Sequence, residues 1–389
     1  MNILFVHEID WQRKVVFELH SLSEMLSLSG HNVYAIDYES MWEKGSVISK
    51  KQEMNVARAY PNAKVRLIRP SFIKIPIISR ISAFITHYFA IRKVIKEKQI
   101  DAIILYSVPT NGLQTLCLAK RFNVPIIFRS IDNLHKLVPN LFLSKITYLM
   151  EKIVYPRVNL VLTISPQLAV YVKKLGASNV KILPLGVDTE TFRLCMDTKE
   201  LREKWSINEN NKVVVFIGTL PVFSGLDTFI CKFRHIVESV TEVKLLIVGD
   251  GKHRSSLEWL IKVYGLENKV VITGFQPYES IPQFINLADV CINTFPVSGA
   301  TKDAFPTKVV QYMACGKPTV STPLLGLKEL GEKQGIVFTH ELETEVIRLL
   351  KDKSLREKLG KLALEYAKNT HSYDKVLSQL EHELDLVVK

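Results

Sequence analysis

The segment from Asp303 to Thr322 reads Asp-Ala-Phe-Pro-Thr-Lys-Val-Val-Gln-Tyr-Met-Ala-Cys-Gly-Lys-Pro-Thr-Val-Ser-Thr, and its lysine at the start of an apolar helical run is placed for anion chemistry. Pro306 suits the first turn of a helix, where its missing N–H costs little. Val309, Val310 and Met313 supply a buried side, and Gly316 and Pro318 end the helix and start a strand. The start of such a helix presents unbonded N–H groups and a positive dipole end, an anion site. Lys308 adds a full charge in the first turn, although a lysine there reads equally as ordinary helix surface. Asp303 offers acceptor oxygens, and Gln311 both accepts and donates.

Other chemistry-bearing residues follow apolar runs. Asp10-Trp-Gln-Arg13-Lys14 comes after Ile3–Val6, so Arg13 and Lys14 are expected at a helix N-terminus, as phosphate ligands or as flanking surface charge. Phe128-Arg129-Ser-Ile-Asp132-Asn-Leu-His135 follows another run; Arg129, Asp132 and His135 suit a strand-end loop, yet Asp132 equally suits a helix cap and a lone His is often structural. Tyr106 to Gly112 reads as a capped turn. No Asp-x-Asp pair, Walker loop, GxGxxG after the first strand or G-x-S-x-G elbow is present, which argues against a metal-dependent transferase, an ATPase, a dehydrogenase and a serine hydrolase. Asp188-Thr-Glu190 reads as a structural turn.

The elements that position these residues alternate. Ile3–Val6, Asn32–Ile36, Ala102–Tyr106, Val124–Phe128, Leu160–Ile164 and Val180–Pro184 are expected strands, with helices from Val15 and over Gly112–Phe122. A second series comprises strands at Lys212–Gly218, Val243–Val248, Val270–Thr273, Val290–Asn293 and Pro318–Ser321. Its helices are Leu226–Ser239, His253–Tyr264, Ile281–Leu287 and Thr307–Cys315. The pattern predicts an α/β chain of two Rossmann-like, doubly wound domains facing a cleft, with ligands at the carboxyl ends of the strands. The expected domains are 1–193 and 194–372. A last helix from Tyr373 to residue 389 is expected to return to the first domain.

With 389 residues, two domains are expected in any case. Apolar residues make up 47% and charged residues 23%, which excludes a disordered chain. Five scattered cysteines (117, 195, 231, 291, 315) form no CxxC pair and fit a reducing compartment. No signal peptide and no run of about 20 apolar residues is visible, so a cytoplasmic protein is expected. The net charge is +12, and residues 41–100 hold 13 Lys/Arg against 3 Asp/Glu, a net of +10. Anionic lipid, a phosphorylated acceptor or a solvated basic face each account for that stretch; nucleic acid is disfavoured, since no finger spacing or RNP-type aromatic motif accompanies the charge.

The 303–322 segment resembles the signature helix of the family 4 retaining glycosyltransferases, which have the GT-B fold. The resemblance extends through Gly30-His-Asn-Val33, Ser165, Pro184-Leu-Gly-Val-Asp188, Ile217-Gly-Thr-Leu220, Gly225-Leu-Asp227, Leu246-Ile-Val-Gly-Asp-Gly251, Val271-Ile-Thr-Gly-Phe275 and Ala288-Asp-Val290. It implies a nucleotide-sugar co-substrate, a UDP- or GDP-sugar, and neither cofactor nor metal. By resemblance Asp303 meets the donor sugar, Gln311 the ribose, and Gly218, Thr219, Ser224 and Gly249 line the donor loop. Thr219 and Ser224 stand where the family places an Arg and a Lys on the diphosphate. Lys308, Lys302 or Arg13 and Lys14 are expected to compensate, Lys308 first. By the same resemblance Asp132 and His135 would sit near the reacting sugar, with Arg129 as a further cleft residue.

The expected reaction is sugar transfer with retention, in which the departing diphosphate needs stabilisation more than the acceptor needs a base. Segments 73–95 and 137–155 mix Lys and Arg with aliphatic and aromatic residues, so a peripheral enzyme acting on a lipid-linked saccharide at an anionic membrane surface is expected. A non-catalytic GT-B binding subunit, or less readily an epimerase or phosphorylase, is the alternative.

Overall fold

The computed structural model describes residues 1–39, 47–76, 78–138, 140–194, 196–299 and 301–389. Cys195 and, within the basic stretch, residues 41–46 and 77 lie outside the described residues. The chain forms two compact units, Met1–Pro184 with Val376–Lys389, and Leu185–Lys375.

The first unit has strands β1 (Asn2–Val6), β2 (Asn32–Ile36), β3 (Gln52–Val56), β4 (Val65–Arg69), β5 (Ala102–Leu105), β6 (Ile126–Ser130), β7 (Leu160–Thr163) and β8 (Val180–Ile182); all but β3 and β4 form at the expected apolar runs. Their order is β3-β4-β2-β1-β5-β6-β7-β8. All pairs are parallel except β3 with β4. β1 is central because Ile3–Val6 are buried on both faces, as a strand covered by helices on each side must be. Leu4, Val6, Ile103, Leu105 and Phe128 pack against Ile91, Val94 and Ile95 of the helix Ile78–Glu97 and Leu118 of the helix Gly112–Phe122. Burying each large aliphatic side chain stabilises the unit by roughly 1.5–3 kcal/mol.

The second unit holds β9 (Lys212–Ile217), β10 (Val243–Val248), β11 (Val270–Gly274), β12 (Val290–Asn293), β13 (Thr319–Ser321) and β14 (Ile336–Phe338). The order is β11-β10-β9-β12-β13-β14, every pair parallel. Strand order reverses between β9 and β12, the point where loops on either side splay apart and admit a ligand.

The division falls after Pro184 and after Lys375, so residues 185–193 and 373–375 belong to the second unit, not to the first as the sequence suggested. Backbone pairing explains it. The Val187 N–H donates to the His371 carbonyl at 2.7 Å, and the Tyr373 N–H donates to the Val187 carbonyl at 3.1 Å. Val187 and Phe192 are buried in the second unit's core. Beyond Val376 the last helix, Tyr373–Val388, packs on the first unit: Lys181 pairs with Glu383 at 2.7 Å, and the Gln379 amide donates to the Ile182 carbonyl at 2.8 Å.

Candidate functional site

At the switch point of the second sheet, three strand-end loops converge. Glycine makes this possible at two positions. Gly249, just past β10, has φ +150°, and a Cβ there would lie 1.9 Å from the Gly218 carbonyl oxygen. Gly225, at the end of the β9 loop, has φ +72°, and its Cβ would lie 2.0 Å from the Thr294 carbonyl oxygen. Thr294, just past β12, donates its hydroxyl to the Ser224 carbonyl at 2.6 Å. The helix Thr307–Ala314 starts beside these loops, and the Tyr312 hydroxyl fixes it by accepting from the Ile217 N–H at 2.8 Å.

From the first turn of that helix, Lys308 reaches inward. Its Nζ lies 3.6 Å from the centroid of the Phe216 ring and 4.5 Å from that of Phe295. It is 3.2 Å from where a Cβ on Gly218 would sit, so any larger residue at 218 would crowd it. The side chain is 9% exposed, and its Nζ has no hydrogen-bond partner among the described residues. Burial lowers its pKa to about 7. The two ring faces act the other way, each attracting an ammonium by about 0.5–2 kcal/mol. A cation so placed, beside a helix N-terminus, recovers its burial cost when an anion arrives.

The remaining candidates of this unit surround it. Thr219 is exposed on the β9 loop, whereas Ser224 is buried, with a hydroxyl that lacks a hydrogen-bond partner. Gln311, one turn beyond Lys308, lies near the Tyr278 hydroxyl and favours its ionised form. Burial first, then the Asp188 charge, push the Tyr278 pKa up to about 12, against the pull of Gln311. Asp303 sits half-buried in a turn braced by the Lys302 N–H on the Ser298 carbonyl (2.8 Å) and the Leu325 N–H on the Lys302 carbonyl (2.7 Å). Asp188 accepts from the N–H groups of Glu190 and Thr191 at 3.0 and 3.2 Å, a local turn.

Arg13, Lys14, Arg129, Asp132 and His135 belong to the first unit. Arg13 and Lys14 are not at a helix N-terminus: the helix begins at Glu18, and both residues lie on an exposed turn whose Arg13 and Lys14 N–H groups bond Asp10. Arg129 is 1% exposed, paired with Glu18, and donates to the Leu183 carbonyl at 2.6 Å. Its guanidinium ties β6 to the end of the unit and is not presented to a ligand. Asp132 is half-buried, and desolvation raises its pKa to about 6. It does not cap the helix Leu141–Val154; Asn140 does, accepting from the Phe142 and Leu143 N–H groups at 3.0 Å. His135 Nδ1 lies 2.8 Å from Glu151 and 3.0 Å from the Tyr171 hydroxyl, a closed network.

Sequence reasoning missed the rings around Lys308, the Tyr278–Gln311 pair and a buried network in which Arg69 bonds both Asp10 and Asp37. Phe216 and Phe295 carried no signal of their own, because an aromatic at a strand end reads as core. Among the described residues no group of three or more His, Cys, Asp or Glu is placed to hold a metal ion, and no helix is long and apolar enough to cross a membrane.

The second unit coincides with a match to the family model for glycosyl transferases group 1, over residues 197–366, and the first with the model for glycosyltransferase family 4, over residues 16–191. The chain is 26% identical over 191 residues to N-acetyl-alpha-D-glucosaminyl L-malate synthase of Bacillus anthracis, covering 48% of each protein. It is 30% identical over 182 residues to alpha-D-kanosaminyltransferase of Streptomyces kanamyceticus, covering 45% of this chain and 44% of that one. These matches span about half the length of the curated relatives. In fold the chain resembles the HepE protein of Anabaena in complex with UDP-glucose, with a TM-score of 0.74 and 18% identity over 99% of both chains. Both units are matched in their order along the chain, and the chain belongs to the family 4, group 1 glycosyltransferases, of GT-B fold.

Proposed function

We propose that this chain transfers a sugar from a nucleotide-diphosphate donor to an acceptor hydroxyl, with retention at the anomeric carbon and without a metal ion or other cofactor. The observation that carries the reading is Lys308, a buried amine with no hydrogen-bond partner at the β9/β12 switch point, beside a helix N-terminus and next to glycines that let the backbone approach a ligand. In this reading Lys308 and the helix start meet the donor diphosphate and offset the charge that grows on it as the glycosidic bond breaks. Asp303 holds hydroxyls of the sugar, and Gln311, beside the Tyr278 hydroxyl, meets the ribose. Gly218, Thr219, Ser224 and Gly249 line the phosphate loop. Family membership and the UDP-glucose complex of the Anabaena structural relative support a UDP- or GDP-sugar as donor.

The acceptor in this reading is a lipid-linked saccharide, met at the cytosolic face of an anionic membrane to which the protein binds peripherally. Support comes from the first unit. The helices Ile78–Glu97 and Leu141–Val154 both pack on the helix Gly112–Phe122 and so lie on one side of the sheet. They expose Ile81 (61%), Phe89 (59%), Leu141 (81%) and Phe142 (71%), with Lys93, Lys96 and Lys145 exposed among them. Apolar side chains flanked by lysines suit an anionic interface.

A donor screen with UDP- and GDP-sugars and a polyprenyl-linked saccharide tests the reading, with the product anomer assigned by NMR. Turnover with the donor's configuration kept is expected. A protein that binds nucleotide sugars and turns none over is a binding subunit, and that result overturns the proposal.

A further inference from the structure

Lys308 poses a charge problem that the donor reading does not answer. A buried ammonium without a counter-ion is costly, and a lysine relieves the cost by giving up its proton. The groups facing it offer no carboxylate partner among the described residues. From β9 it meets Phe216, and the β9 loop, Gly218 to Ser224, is uncharged. From the β12 loop it meets Phe295; Lys302 and Asp303 follow on that loop. The β10 loop carries Asp250, Lys252 and His253, and Asp250 is committed to Arg254 at 2.9 Å. On its own helix the titratable Tyr312 hydroxyl is taken by the Ile217 N–H. Burial alone shifts the amine.

We propose that Lys308 takes up a proton from solvent as the nucleotide diphosphate binds, so that donor binding and protonation are a single coupled event. The proposal rests on the donor reading above and adds a mode of regulation to it. The step balances simply: the neutral amine and a solvent proton give an ammonium, whose charge is offset by a phosphate oxygen. The sign follows from linkage. The amine's pKa without donor, about 7, rises when a dianion sits beside it. Donor affinity is therefore greatest below that value and falls about tenfold per pH unit above it. At about pH 8 the free protein holds little of this proton, so each binding event takes up about 0.9 of one.

Calorimetry with UDP-glucose and with GDP-mannose tests this. Each titration is run at about pH 8 in Tris and in HEPES, whose ionisation enthalpies differ, so the difference in heat counts protons. The expected result is uptake near one proton in the native protein and near zero in Lys308→Arg, whose guanidinium stays charged. Donor binding with no uptake, or uptake retained in Lys308→Arg, overturns the proposal and leaves the donor reading standing. Binding of neither nucleotide sugar removes both. If Lys308→Arg crowds Gly218 and fails to bind, the pH dependence of native affinity decides alone: a flat profile between about pH 6 and 9 overturns the proposal.

Discussion

At the scale of single residues, Lys308 sets stability against function. In the unfolded chain its amine titrates near 10.5, and in the folded chain near 7. Between those values the unfolded state binds the extra proton, so the lysine's penalty grows as pH falls from 10.5 and is complete below 7. Lys308→Met keeps the length and removes the charge. It is expected to stabilise the second unit by about 2–4 kcal/mol at neutral pH, and by progressively less toward pH 10, while nucleotide-sugar binding is lost. Thermal unfolding across pH, paired with donor titration, checks both parts; an unchanged melting point at pH 7 would sink the burial argument. Tyr278→Phe is a milder test. It removes the hydroxyl beside Gln311, and the expected outcome is a several-fold higher KM for donor with kcat nearly kept, read from steady-state kinetics.

At the scale of elements, the loops around Lys308 are held by close backbone approach more than by side chains. Gly249→Ala places a methyl 1.9 Å from the Gly218 carbonyl oxygen, so the β9 and β10 loops must separate. An expected loss of about 2–4 kcal/mol in denaturant unfolding, with weakened donor binding, follows. Wild-type stability in that variant would show that the loops yield freely. The second series of strands and helices was legible because short apolar strands alternate with helices of amphipathic spacing; Leu226–Ser239, Val243–Val248, Ile281–Leu287 and Val290–Asn293 match to the residue. β3 was not legible: Gln-Glu-Met-Asn-Val has one strongly apolar side chain at each of two positions and lies at a sheet edge, where burial is partial. The start of the first helix was misplaced because Val15 fits the helical spacing yet is exposed, and the chain turns at Asp10 before the helix begins at Glu18.

At the scale of the whole molecule, the exposed apolar side chains of the first unit have a consequence of their own. Flotation with anionic vesicles is expected to carry the protein at low salt and release most of it at about 0.5 M salt, where the Debye length falls to a few ångströms. Leu141→Asp with Phe142→Asp should abolish flotation without lowering the melting temperature, since both side chains are already in solvent. Flotation unaffected by that pair would remove the helix Leu141–Val154 from the membrane argument.

The sequence by itself determined the fold class, the positions of most strands along the chain and the family, because apolar periodicity and loop glycines are local properties that survive in one dimension. It also singled out Lys308, from its place in the first turn of a recognisable helix. Only the tertiary structure decided what surrounds that lysine. Phe216 and Phe295 lie 92 and 13 residues before it, and nothing local in the chain says that their rings will close over one amine. The same holds for Arg129, which reads in sequence as a strand-end cation and is consumed by Glu18, 111 residues away. Charge is written in the sequence, but whether it is paired, solvated or buried alone is a property of distance in space.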